Sequence, residues 1–207
     1  GNILKLVTGG DGYIGSNIAW DLHARNDKIA ISDWFGHGDK WKNIQKLVPQ
    51  AIIEPESLHR WIENNGNKLT AVIHMGAISA TTETDVDLII NNNFRYSVNL
   101  WHYCVTYSIP FIYASFAATY GNGSNGFSDS TKIENMENLK PLNPYGWSKH
   151  LFDRWVLSQI ESGAPQPPKW AGLKFFNVYG PNEYHKGSMM SVIAQNYERI
   201  AAGNSIK

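Results

Sequence analysis

Short apolar runs alternate along the chain with longer segments of mixed polarity. The apolar runs, which predict β-strands, are ILKLV (3–7), KIAISD (28–33), TAVIHMG (70–76), PFIYAS (110–115) and AGLKFFNVYG (171–180). The segments with helical periodicity lie at 14–25, 56–65, 86–107, 144–162 and 187–202. Strands that alternate with helices are typical of a parallel sheet covered on both faces. The pattern therefore predicts an α/β fold with a doubly wound parallel sheet.

Two polar stretches interrupt this alternation. Residues 121–144 are rich in turn-forming residues, and we expect a long surface loop there. Residues 162–169, SGAPQPPK, predict a tight Pro-rich connector. With 207 residues, the chain can enclose one sizeable core, or one domain and part of a second.

Composition narrows the range of partners. The 18 basic residues balance the 18 acidic ones, and no basic stripe indicates nucleic acid or an anionic membrane surface. Cys104 is the single cysteine, which excludes an internal disulfide and favours a reducing compartment. No apolar run reaches the roughly 18 residues of a membrane span, so we expect a cytoplasmic protein. The 7 histidines fall on different predicted elements, so no metal site is expected.

A glycine-rich loop follows the first predicted strand. LVTGGDGYIGSNIAWDL places Gly9, Gly12 and Gly15 at the opening of a helix. Glycine at this spacing allows a sharp turn and a close approach to a pyrophosphate, which the helix N-terminus then binds. Asp33 ends the second predicted strand about 20 residues on, where a carboxylate can bind the adenosine ribose. These features predict a dinucleotide site of the Rossmann type; a glycine-rich turn without a ligand is the alternative.

The choice between NAD and NADP stays open at this point. Asp33 favours NAD because a carboxylate repels a 2′-phosphate. Lys40, in FGHGDKWKN, offers a charge that can bind that phosphate instead, and Lys42 is nearby. A lone lysine is more often a solvated surface charge, which is the alternative interpretation of Lys40.

A tyrosine and a lysine share one face of the helix predicted at 144–162. Tyr145 and Lys149, in NPYGWSKHLFD, are four residues apart and therefore neighbours on the helix surface. An ammonium and a positively charged nicotinamide beside a phenol favour the phenolate, a base that can take a proton from an alcohol. The spacing alone also fits an ordinary surface pair, but after this glycine loop it predicts a catalytic pair.

The order of these motifs is similar to that of the extended short-chain dehydrogenase/reductase family. The shared motifs are the glycine loop, HMGAIS, YAS.AATYG, Y-x-x-x-K and FFNVYGP. The narrower stretches GAISATTETD, NNNFRYS and FNVYGPNEYHKGSMMSV resemble the branch of that family that epimerises an ADP-activated heptose. The resemblance covers nearly the whole chain.

The resemblance implies an isomerase of lipopolysaccharide heptose synthesis. In that branch, C6 of the nucleotide sugar is oxidised to a ketone with tightly held NADP, and the same hydride returns with inverted configuration. Inversion needs one acid/base on each side of the carbon, and the matching residues are Tyr145 and Lys186. Without the resemblance, Lys186 fits a loop charge equally well. The family further implies a homo-oligomer, often a pentamer.

The resemblance also implies which residues contact the ligands. The expected cofactor-binding residues are Gly9, Gly12, Tyr13, Ile14, Gly15, Asp33, Trp34, Lys40, Met75, Gly76, Ala77, Ser79, Asn92, Tyr145, Lys149 and Val178. The expected substrate-binding residues are Ser79, Asn177, Lys186 and Ser188. We expect residues 1–170 to form the NAD(P)-binding domain. Residues 171–207 are then the last strand and the start of a substrate-binding region that is largely missing.

Phe116 departs from the family pattern at a catalytic position. The family has Ser or Thr there, and the hydroxyl bonds the substrate oxygen; phenylalanine cannot. The loss of one such group lowers a rate by about 10²–10³-fold. Ser115 precedes it and is expected to point to the other side of the strand. Ser79 or Thr81 is the candidate replacement.

Three hypotheses follow. The first is the heptose epimerase, slowed by Phe116. The second is another nucleotide-sugar epimerase or dehydratase, although HKGS argues against it. The third is a catalytically impaired dinucleotide-binding module.

Overall fold

The computed structural model describes residues 4–9, 13–33, 39–76, 85–116 and 144–173. The chain divides into two compact units, residues 1–76 and 77–207, which are described separately below. The predicted domain boundary at 170/171 stays a prediction.

The first unit contains four parallel strands in the order β3-β2-β1-β4. Its elements are β1 (Leu4–Thr8), α1 (Tyr13–Ala24), β2 (Lys28–Ser32), β3 (Ala51–Ile53), α2 (Leu58–Asn65) and β4 (Leu69–His74). Short 3₁₀ turns lie at Lys40–Asn43, Pro55–Ser57 and Gly66–Lys68. Every residue of β1 is buried, as expected of a central parallel strand covered on both faces. Lys5 is buried on β1 with its ammonium paired to the carboxylate of Asp27.

The second unit contains a long helical run, a strand pair and a second long helix. Its elements are α3 (Val86–Ile89), a π-helical segment (Ile90–Arg95), α4 (Tyr96–Thr106), β5 (Phe111–Ala114), α5 (Pro144–Glu161) and β6 (Trp170–Leu173). β5 pairs with β6 in parallel. Asp85 caps the first helix, because its side chain accepts a bond from the Leu88 N–H at 3.1 Å. Pro144 begins α5, where a missing N–H has no consequence.

An aromatic cluster fills the core of the second unit. The fully buried ring of Trp101 lies edge-on to Phe111, Phe152, Trp155 and Trp170, at centroid distances of 5.1–6.5 Å. The cluster therefore joins α4 and α5 to both strands of this unit.

The predicted α/β fold of the Rossmann type is confirmed, with small errors at the ends of elements. The structure adds β3, a strand of only three residues that the sequence analysis missed. It also divides the helix predicted at 86–107 by the π-helical segment. The predicted helix at 187–202, the loop at 121–143 and the strand beyond residue 173 lie outside the described residues. Within the described ranges, no helix is long and apolar enough to cross a membrane.

Candidate functional site

Gly9 and Gly76 bring two loops of the first unit into backbone contact. Gly9 has φ +68°, and a Cβ placed on it would lie 2.6 Å from the Cα of Gly76. A Cβ on Gly76 would lie 3.0 Å from the Gly9 nitrogen. The Gly9 N–H also donates to the Ser32 carbonyl at 2.7 Å. Any side chain at Gly9 would therefore separate the ends of β1 and β4, which explains glycine at this position.

A buried polar pair holds the same two strand ends together. The Oγ1 atom of Thr8 accepts a bond from the Gly76 N–H at 3.1 Å and lies 2.5 Å from Nδ1 of His74. The Met75 N–H donates to the Thr8 carbonyl at 3.1 Å. Neither Thr8 nor His74 is among the predicted site residues, although polar residues that end neighbouring parallel strands are a signal for such a pair.

Asp33 lies at the carboxyl edge of the same sheet. It directly follows β2 and is 5% exposed. The structure thus brings Gly9, Met75, Gly76 and Asp33 to the strand ends where dinucleotides bind in folds of this type. Helix α1 begins at Tyr13 and contains Gly15, so its N-terminus follows the glycine loop as predicted.

In the second unit, Tyr145 and Lys149 lie on one face of α5. The Nζ atom of Lys149 is 4.9 Å from the centroid of the Tyr145 ring, and both side chains are half-buried. The ammonium therefore lies against the ring face, where it is attracted by the π-electrons. The predicted i, i+4 geometry is confirmed, and the catalytic role of the pair stays a prediction.

A chain of hydrogen bonds supports the start of α5. Asn93 donates from Nδ2 to Oγ of Ser148 at 3.1 Å, and that hydroxyl donates to the Tyr145 carbonyl at 2.6 Å. Ser97 donates to the Asn93 carbonyl at 2.5 Å. Asn93 is 4% exposed, whereas Asn92, which the sequence analysis chose, is half-buried beside it. Both lie in the π-helical segment, a feature that is frequent at functional sites.

Phe116 and Ser115 both contact α5. The Phe116 N–H donates to Oδ2 of Asp153 at 2.9 Å, and Ser115 Oγ donates to Oδ1 at 2.8 Å. The Phe116 ring lies edge-on to His150, with the centroids 5.6 Å apart. The expectation that Ser115 points to the other side was wrong, because β5 ends at Ala114 and strand alternation stops there. Ser115 is nevertheless a poor substitute for the missing hydroxyl, since its own is bonded to Asp153.

His150 is buried beside Phe116. Burial lowers the pKa of its imidazole, and the nearby Arg154 guanidinium lowers that pKa further. Its Nδ1 atom has no hydrogen-bond partner among the described residues. The neutral ring is therefore the favoured form at neutral pH.

Several predicted site residues lie outside the described part of the chain. They are Gly12, Trp34, Ala77, Ser79, Thr81, Asn177, Val178, Lys186 and Ser188, together with the side chains of Tyr13, Ile14 and Lys40. In the part of the chain that is described, no group of three His, Cys, Asp or Glu side chains could hold a metal ion.

The sequence matches the NAD dependent epimerase/dehydratase family over residues 5–207. A curated relative from Fusobacterium nucleatum, named ADP-L-glycero-D-manno-heptose-6-epimerase, is 46% identical over 205 residues, which are 98% of this chain and 60% of the relative. A relative of the same name from Nitratidesulfovibrio vulgaris is 44% identical over 95% of this chain and 60% of its own length. The chain thus spans about 60% of the length of these relatives.

Solved structures give the same picture. The fold is similar to the ADP-L-glycero-D-manno-heptose-6-epimerase of Helicobacter pylori, with a TM-score of 0.64 and 29% identity over 94% of this chain and 60% of that one. It is also similar to the UDP-glucose 4-epimerase of Thermus thermophilus in complex with NAD, with a TM-score of 0.62 and 27% identity over 99% of this chain and 64% of that one.

Proposed function

The chain belongs to the NAD dependent epimerase/dehydratase family, and from this premise we propose that it is an isomerase that inverts C6 of ADP-glycero-manno-heptose for lipopolysaccharide core synthesis. Identities of 39–46% to relatives named as this epimerase support the substrate. The observation that carries the chemistry is the Lys149 ammonium 4.9 Å from the Tyr145 ring centroid, at the start of a half-buried helix.

The residues at the carboxyl edge of the first unit fit a nicotinamide dinucleotide. A Cβ on Gly9 would collide with the backbone of Gly76. The chain after β1 therefore presents backbone atoms, and no side chain, at this residue. Asp33 offers a buried carboxylate at the end of β2, suited to ribose hydroxyls. When bound, the nicotinamide supplies the hydride acceptance and return that an inversion requires.

Tyr145 acts as the base on one side of the substrate carbon. It takes the proton of the C6 hydroxyl while the C6 hydrogen departs with its electron pair, which leaves a ketone. Lys149 holds the nicotinamide ribose, and its ammonium lies against the ring of Tyr145. Lys186 delivers the proton on the opposite face when the hydride returns, a role that rests on the resemblance alone.

Phe116 lowers the rate of this reaction. It brings no hydroxyl to the substrate oxygen, and Ser115 is bonded to Asp153. The proposal therefore includes a turnover about 10²–10³-fold below that of a Ser or Thr variant. The missing hydroxyl at position 116 also favours a second candidate function, a dinucleotide-binding module without turnover.

We take NADP as the cofactor and NAD as the alternative. Asp33 favours NAD, whereas Lys40 and the resemblance favour NADP. We further propose a cytoplasmic homo-oligomer, a pentamer by resemblance, that binds a nucleotide-sugar substrate and neither nucleic acid nor a membrane. These proposals are tested by calorimetric titration with both cofactors, after a denatured sample is checked for bound nucleotide, and by the mass in solution.

The decisive test of function is conversion of ADP-D-glycero-D-manno-heptose, followed by NMR signals of the two C6 epimers. We expect slow conversion by the unmodified chain, faster conversion by Phe116→Ser and none by Tyr145→Phe. Cofactor binding without conversion by either of the first two proteins would leave only the binding module. Absence of cofactor binding would overturn both candidates.

A further inference from the structure

Asp153 is a fully buried carboxylate on the helix that carries Tyr145 and Lys149. It is 0% exposed and lies about two turns after Tyr145 on α5. An ionised carboxylate is an acceptor only, with room for several donors. Here it accepts from the Ser115 hydroxyl at 2.8 Å and from the Phe116 N–H at 2.9 Å.

These two bonds hold the chain where it leaves β5. β5 ends at Ala114, and the strand pairing that fixes its backbone includes Ala114 opposite Leu173. The Ser115 N–H still donates to the Leu173 carbonyl at 2.8 Å. The Phe116 N–H, past the end of β5, donates to Asp153, so the carboxylate and not a neighbouring strand holds the backbone at this residue.

We propose that Asp153 is the positioning residue that sets residue 116 against the Tyr145–Lys149 helix. The catalytic part of this inference rests on the proposed function, whereas the structural part does not. Because the backbone N–H of residue 116 makes the bond, the bond does not depend on which side chain stands at that position. In this chain the side chain is the Phe116 ring, which packs on His150 with the centroids 5.6 Å apart.

A hydroxyl at position 116 should depend on Asp153 for its position. A serine introduced there starts from a backbone position that Asp153 already fixes. Its contribution to the rate then depends on Asp153, because a misplacement of about 1 Å can cost about 10²-fold in rate. In the chain with Phe116, which has no hydroxyl at this position, the same change of Asp153 should lower the rate less.

Hydrogen exchange of the Phe116 amide tests the bond without any activity. We expect exchange at least about tenfold faster in Asp153→Ala, since the acceptor is lost. Asp153→Asn should stay near the unmodified rate because its amide oxygen still accepts. Ser115→Ala is the matched control, since it removes the neighbouring bond to Asp153 and leaves the Phe116 bond in place. Unchanged exchange in Asp153→Ala overturns the proposal.

A second measurement covers the case in which Asp153→Ala does not fold. An amide oxygen is a weaker acceptor than a carboxylate. The Phe116 amide proton resonance should therefore move upfield in Asp153→Asn, by more than it moves in Ser115→Ala. A resonance that does not move in Asp153→Asn also overturns the proposal.

Turnover tests the catalytic part through a double-mutant cycle of Phe116→Ser and Asp153→Ala, with Asp153→Asn as the rescue. We expect Phe116→Ser to raise kcat. Adding Asp153→Ala to Phe116→Ser should remove at least about tenfold of that gain with little change in KM. Asp153→Asn in place of Asp153→Ala should retain most of the gain. Equal losses of kcat in both backgrounds would show a general structural role and overturn positioning. If exchange responds to Asp153 but no variant turns over, the proposed function fails and the structural inference stands.

Discussion

The two compact units bury different kinds of side chain. Among the described residues of the first unit, the buried hydrophobic side chains are all aliphatic, with Leu6, Ile31 and Val72 at its centre. In the second unit the largest buried side chains are rings, led by Trp101 and Trp170. Aliphatic side chains and glycines take up less space than rings, so strand ends and loops can approach one another, as at Gly9 and Gly76. Rings instead span the distance between helices and strands and fix their orientation.

This difference in buried side chains agrees with the function proposed for each unit. The first unit is expected to bind phosphates and ribose through its backbone, which requires close approach and little bulk. The second carries Tyr145 and Lys149 on α5, and a proton transfer needs a helix held in one position. Phe152 and Trp155 extend from that helix into the ring cluster.

The largest expected effect comes from removing the central ring. Trp101→Ala should lower the free energy of unfolding by about 3–5 kcal/mol, because four ring contacts and a large buried area are lost. Ile31→Val, in the first unit, is the mild comparison at about 0.5–1.5 kcal/mol. Urea unfolding followed by circular dichroism measures both. A Trp101→Ala loss no larger than that of Ile31→Val would contradict the central place of the ring.

A pair of glycines with similar backbone angles separates backbone strain from close contact. Gly9 and Gly163 have φ +68° and +73°, but only Gly9 has a neighbour that an added Cβ would meet. Gly163→Ala should cost about 1–2 kcal/mol of stability from the left-handed backbone alone. Gly9→Ala should cost more and lower the affinity for the nicotinamide dinucleotide at least about tenfold, since the Gly76 backbone must move. Thermal unfolding and calorimetry give the two values, and equal effects of the two variants would refute the close-contact explanation.

The smallest expected effect is a pH dependence that originates in the second unit. The pKa of His150 is lowered in the folded chain from its ordinary value of 6.5, so the unfolded chain binds the extra proton more readily. Its neutral form supports the fold fully above pH 6.5, and this contribution is lost as the pH falls toward the folded-state pKa. The slope cannot exceed about 1.4 kcal/mol per pH unit for one group.

His150→Leu tests this dependence. The variant should show a flatter stability profile between neutral and mildly acidic pH than the unmodified chain. His59→Leu, on the exposed side of α2 in the first unit, is the matched control and should leave the slope unchanged. A slope that survives in His150→Leu would assign the dependence to another group.

Local sequence rules predicted the parts of the site that depend on neighbours in the chain. The glycine loop after β1, Asp33 after β2 and the i, i+4 pair of Tyr145 and Lys149 follow from spacing within single elements. Asp153 was missed because its partners are 37 and 38 residues away in the chain, and no local pattern reports such a contact.

The remaining errors have the same origin. β3 is three residues long, too short to show alternation. Asn92 was predicted from the resemblance alone and stays a prediction; its neighbour Asn93, which no motif indicates, is the more buried of the two within the π-helical segment. The π-helical segment itself has no recognised sequence signal.

The ring cluster also gives this chain a spectroscopic label of its own. The indoles of Trp155 and Trp170 lie 5.9 and 5.1 Å from that of Trp101, so their electronic transitions couple and rotate polarised light as a group. The near-ultraviolet circular dichroism of the protein is therefore weighted toward the second unit. Loss of that signal before the far-ultraviolet signal would show that the packing of α5 loosens while the helices and strands are still formed.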